Sequence, residues 1–150
     1  MTLAAVGGNG YNFILFLHVA AMFVALAPTF VHPFIARDSN EDYSVRRSLY
    51  AGIAQRSMRI YGSSLVVGGL LGFGVAGLSD KVYRMSDGWL VVSIIVWLAM
   101  NGVLHAVVFP AEKAIADGDE PNARKAEIGS LIITVLFLLS LYLMIFKPGA

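Results

Sequence analysis

The chain has 150 residues, 57% of them hydrophobic and 14% charged, against about 25% charged in a typical soluble domain, which excludes an ordinary water-soluble domain. A net charge of +1 leaves no broad basic surface, so nucleic acid is excluded as a partner. The absence of cysteine excludes disulfides, iron–sulfur clusters and thiolate chemistry.

Four blocks, residues 11–35, 60–78, 89–109 and 128–146, contain no Asp, Glu, Lys or Arg. A hydrocarbon core about 30 Å thick needs roughly 20 apolar residues in a helix, and backbone groups in lipid must be satisfied within the segment. The predicted fold is therefore all-α: a single membrane domain over residues 1–150, built as a four-helix transmembrane bundle with the lipid bilayer as its first partner.

The first block follows "MTLAAVGGNGYN". That stretch lacks the basic n-region and small-residue cleavage site of a signal peptide, so helix one is expected to be retained. The block holds His18 and His32, and Pro28 and Pro33 are expected to kink it by removing hydrogen bonds. Loop 36–59 carries Arg37, Arg46, Arg47, Arg56 and Arg59. Apolar Tyr43, Leu49, Ile53 and Met58 along it suit a short interfacial helix, and a solvated connector suits it equally.

In the second block Ser64, Gly68, Gly72 and Ala76 recur every four residues. Such a small-residue ridge lets a neighbouring helix approach closely; the alternative is room for a flat cofactor. The third block places Trp97, Asn101 and His105 on one face in steps of four. Loop 110–127 adds Lys113, Arg124 and Lys125 and the densest acidic run. The fourth block is bulky and expected to close the bundle towards lipid. Tyr11, Tyr61, Trp89 and Tyr142 lie near block ends, where aromatic rings favour the headgroup level.

Loops 36–59 and 110–127 together hold eight Lys and Arg, whereas Lys81, Arg84 and Lys147 are the three on the other side. The two loops are thus expected in the cytoplasm and both termini outside, in a bacterial cytoplasmic membrane.

Polar groups within a membrane segment are functional candidates. Here they are His18, His32, Asn101 and His105. His18 and His32 share one face but stand about 21 Å apart, too far to share a metal. Counted from the outer end of each helix, His18 lies about 10 Å deep, His105 about 24 Å and His32 about 31 Å. Depth therefore brings His105 nearer to His32 than to His18, with Asn101 one turn away as an orienting partner. Two facing imidazoles suit a b-type haem between helices one and three, and Arg37, five residues beyond His32, is placed to meet a propionate. A metal held by His18 and His105, a proton relay through His18, Asn101 and His105, and plain hydrogen bonding between helices are the other readings. No HExxH motif and no Ser–His–Asp set at usable spacing supports a hydrolase.

"FLHVAAMF" in helix one, the arginine-bearing loop, "GGLLGFG", Trp89 at the start of helix three, "FP" at 109–110 and the terminal "IFKPG" resemble an uncharacterised bacterial family of predicted four-helix integral membrane proteins. That family is related to the copper-resistance protein D (CopD-like) family and the HemJ-type protoporphyrinogen oxidases. The HemJ-type resemblance implies haem or porphyrin chemistry at the helix-one histidine, a position His18 matches. The Trp-x-Gly-Gly that commonly follows that histidine is here "VALAP", which argues against the oxidase activity and leaves a haem site, needing only the histidine and a partner. The expected functions are haem binding with membrane redox chemistry, a non-catalytic accessory subunit of a larger membrane complex, or CopD-like metal or ion transport. The dispersed methionines weaken the last.

Overall fold

The computed structural model describes residues 5–38, 43–119 and 122–149, with side chains from 35 to 38 outside the description. Four helices are long and apolar enough to cross a membrane. They are α1 (Asn9–Asp38), α2 (Tyr43–Gly77), α3 (Gly88–Asp117) and α4 (Ala123–Phe146). No strand occurs among the described residues. The all-α reading of the sequence therefore holds.

The helices run past the apolar blocks. The arginine-bearing stretch from Tyr43 to Arg56 is helical, as one of the two readings of that loop had it. It joins the membrane part of α2 without a break, through a π-helical segment, Ser57–Gly62. Likewise α3 does not stop at 109 but passes through a second π segment, Leu104–Val108, into Phe109–Asp117. Pro110 supplies a cause for the second: it has no N–H and its ring crowds the preceding turn, and a widened turn accommodates both. In the first, Ser63 Oγ bonds the carbonyls of Arg59 and Ile60 where the segment ends. By contrast, α1 continues as helix through Pro28 and Pro33.

Close approach organises the bundle. On α1, Ile14, His18 and Met22 are spaced one turn apart and fit, in antiparallel order, over Gly74, Gly72 and Gly68 of α2. A Cβ at Gly68 would lie 3.1 Å from Met22 Cε, and one at Gly72 would lie 3.1 Å from His18 Cε1. The glycine ridge thus serves helix contact, giving dispersion where lipid provides no hydrophobic drive. Gly69, on the neighbouring face, seats the Trp97 indole of α3, whose Nε1 donates to Leu65 O at 2.9 Å. Gly129 lets α4 approach Val107 and Val108 of α3 in the same way. Leu26, Leu65, Met100, Leu104 and Ile133 form the central core, and Tyr50, Ala111, Ile115 and Ala126 a second core at the arginine-bearing end.

At the opposite end, Tyr11, Tyr83, Trp89 and Lys147 come together, so both ends of the bundle's chain reach the same side. Tyr11 and Trp89 turn inward there and are buried; the edge-to-face contact of Trp89 with Tyr83, 5.5 Å between centroids, helps hold them. Tyr142 stays exposed, and α4 turns Leu131, Val135 and Leu138 outward while burying Ser130, Ile133 and Leu143.

Gly69→Ala forces the indole of Trp97 from its seat and is expected to destabilise the protein by about 1–3 kcal/mol. Gly102→Ala, with open space where the methyl goes, is expected to be neutral or stabilising. Denaturation of the two purified variants in detergent micelles checks this, and equal stability would contradict the seating of Trp97 on Gly69.

Candidate functional site

Two separate polar sites arise, one at each end of the bundle. At the end shared by the termini, all four helices wall a cavity of about 260 Å³. Its surface is mostly apolar and aromatic, and His18 is the imidazole that faces it. The ring is 7% exposed. Its Nδ1 lies 2.6 Å from Gly68 O. A carbonyl only accepts, so Nδ1 carries the hydrogen, and in the neutral tautomer this leaves Nε2 as a bare acceptor. Trp97 spends its N–H on Leu65 O, and Ser93 bonds back to Trp89 O. The buried Nε1 of Trp89 has no partner. At the mouth, Lys147 Nζ donates to the Tyr83 hydroxyl at 2.9 Å and lies 4.6 Å from that ring's centroid. The cavity therefore presents one bare acceptor and, at its mouth, one cation.

The second site lies at the arginine-bearing end. His32 of α1 and Glu112 of α3 are each 1% exposed, with Nε2 and Oε1 3.0 Å apart. The distance is that of an ion pair, while the angle falls outside that of an N–H···O bond and leaves Nε2 without a hydrogen-bond partner. His32 Nδ1 lies 2.6 Å from Ser130 Oγ of α4. Ser57 of α2 donates its hydroxyl to Glu112 Oε2. The Tyr50 ring stands 5.5 Å from the His32 ring, and its buried hydroxyl has no partner.

The expected pairings between histidines do not form. Both nitrogens of His32 face Ser130 and Glu112, so His32 does not meet His105. His105 is exposed, with its ring edge-to-face on Phe109 at 5.0 Å and beside Gly62. It does not join His18 around a metal. Asn101 donates Nδ2 to Trp97 O of its own helix rather than orienting His105, so the relay through His18, Asn101 and His105 is not assembled either. Among the described residues, no three His, Asp or Glu side chains gather into a metal cage. The side chain of Arg37 lies outside the described residues.

Glu112 is the functional group that sequence reasoning missed, since residues 110–127 read as a loop. A signal was present: Met100, Leu104, Val108 and Glu112 follow one another in steps of four, and all four are buried. No family model, no curated protein and no solved structure matches the chain.

Removing one partner of a buried polar pair strands the other, and the cost is largest where the pair is ionic. Glu112→Ala and His32→Ala are therefore each expected to cost about 3–5 kcal/mol. The double variant should cost less than their sum, by about 0.5–3 kcal/mol. A double-mutant cycle by chemical denaturation measures this, and strict additivity would contradict the pair.

Proposed function

We propose that this multi-pass membrane protein binds a flat, largely apolar redox cofactor in the cavity beside His18, and that haem b is the group its donor set suits. In this reading it serves membrane redox chemistry, with the arginine-bearing end in the bacterial cytoplasm and both termini outside, as the Lys and Arg asymmetry predicts. The observation that carries the proposal is the state of His18. Its Nδ1–H is tied to a backbone carbonyl and its Nε2 is bare at an apolar cavity. A ligating histidine is ordinarily oriented in this way by a bond from its other nitrogen, which also raises its basicity.

The chain's other groups agree with such an occupant. Gly69 and Gly72 keep the α2 wall low, Phe73 and Trp97 supply flat apolar surface, and the Lys147 ammonium at the mouth can pair with a propionate. This replaces Arg37 as the cation expected from sequence, because the histidine in question is at the opposite end from Arg37. The enclosed space, about 260 Å³, lies just under the roughly 300–1,000 Å³ usual for ligand pockets. The membrane parts of α2 and α3 have few backbone approaches beside it and are joined there chiefly through Trp97, on Gly69 and Leu65 O. Bound, a haem supplies one-electron redox chemistry; the chain supplies the axial nitrogen, a dry surround and the cation.

A second reading, an accessory subunit without a cofactor, is favoured by His32 and by Asn101 Nδ2, whose contacts are all made within the chain. The visible spectrum of the protein purified from haem-replete cells separates the two. The haem reading expects a Soret band and a sharp α band on reduction with dithionite. His18→Ala should lower haem affinity at least about tenfold, while His32→Ala and His105→Ala retain the band. No Soret band, or loss of it only in His105→Ala, would contradict the proposal.

A further inference from the structure

The cluster around His32 plays no part in the cavity, yet it is the most completely buried polar group of the molecule. Each helix contributes: His32 from α1, Tyr50 and Ser57 from α2, Glu112 from α3 and Ser130 from α4, all at most 2% exposed. A cross-link between helices would require only that donors and acceptors be matched. Two features go beyond that.

The first is that both charged groups are bonded to hydroxyls. Ser130 Oγ can donate to a bare His32 Nδ1 or, after rotation of its O–H, accept from Nδ1–H across the same 2.6 Å. Ser57 donates to Glu112 Oε2 and has Ile53 O at 3.1 Å as a second acceptor. The cluster can therefore gain or lose a proton by turning hydroxyls, with no heavy atom displaced. The second is that two buried polar atoms, His32 Nε2 and the Tyr50 hydroxyl, lack hydrogen-bond partners, and they belong to rings 5.5 Å apart. Unmet buried polar atoms call for an explanation beyond helix cross-linking.

Charge decides how many protons the cluster holds. With a neutral ring, Glu112 would be an uncompensated carboxylate in a dry site, an arrangement proteins avoid. The charged groups around Tyr50 are Glu112, Arg46 of α2 and Glu127 of α4, and Arg47 is engaged with Ala116 O. Arg46 and Glu127 act on the Tyr50 hydroxyl with opposite sign, and the basic group in contact with Glu112 is His32.

We infer that His32 and Glu112 form a proton-binding site that holds one proton as an imidazolium–carboxylate pair. In this state both ring nitrogens carry hydrogen, and the Ser130 hydroxyl accepts from Nδ1–H.

Infrared spectroscopy of the full chain in zwitterionic phosphatidylcholine vesicles at neutral pH, with isotope-labelled histidine, tests this. A His105→Gln background removes the exposed ring from the signal. The expected spectrum contains an imidazolium ring band that His32→Gln abolishes. Glu112→Gln should abolish the same band, since the buried cation would lose its counter-charge. His32→Gln should gain a protonated-carboxyl C=O band that is absent from His32→Gln/Glu112→Gln. Neutral ring modes for His32 in the unmodified pair would overturn the inference, even if a variant failed to fold. So would an imidazolium band that persists undiminished in Glu112→Gln.

Discussion

The contact on which the rest of the molecule depends is the one between the His18 imidazole and the carbonyl of Gly68, made across the close approach of α1 to α2. In lipid, neither helix gains hydrophobic free energy by meeting the other, so the pair relies on dispersion across small residues and on bonds between helices. One such bond is worth about 0.6 kcal/mol on average and up to about 1.7. Its structural effect is larger than its energy. It fixes the ring's tautomer and turns Nε2 towards the interior. It also draws the membrane part of α2 against α1, where α2 makes its main contacts, and leaves its contact with α3 sparse. The cavity occupies the space that results.

The two polar sites follow different physical logic. The one at the end shared by the termini leaves Nε2 of His18 unmet, because the cavity beside it provides room for a partner. The one at the arginine-bearing end has no such space and answers its burial with a His–Glu contact and hydroxyls from two helices. Fourteen residues, about 21 Å of helix, separate the two imidazoles along α1. They act as independent centres, and neither needs the other for its geometry.

The apolar blocks were legible because lipid imposes length and composition together. So were the glycine ridge and the separation of His18 from His32, which follow from helical periodicity alone. Helix ends were not legible: arginines and acids mark the end of the hydrocarbon-facing block, but a helix packed on a neighbour at the interface can carry them, as Tyr43–Arg56 and Phe109–Asp117 do. The pairing of His105 failed for a reason of register. Steps of four advance an α-helix by about 40° each, so a face that starts half-buried at Trp97 has turned outward by His105. The π turn at Leu104–Val108 takes up that drift for the adjacent row. Met100, Leu104, Val108 and Glu112 consequently remain inward, and the carboxylate reaches His32. A widened turn is not visible in hydropathy, although Pro110 was a hint of it.

With only three histidines in the chain, the protonation of His18 can be read directly by nitrogen NMR of the histidine-labelled protein in micelles, its signal identified by loss in His18→Gln. The account predicts a neutral ring with hydrogen on Nδ1 alone and an unprotonated Nε2. A ring protonated on Nε2, or on both nitrogens, would contradict it, because the nitrogen assigned to the cavity would then have no lone pair to offer.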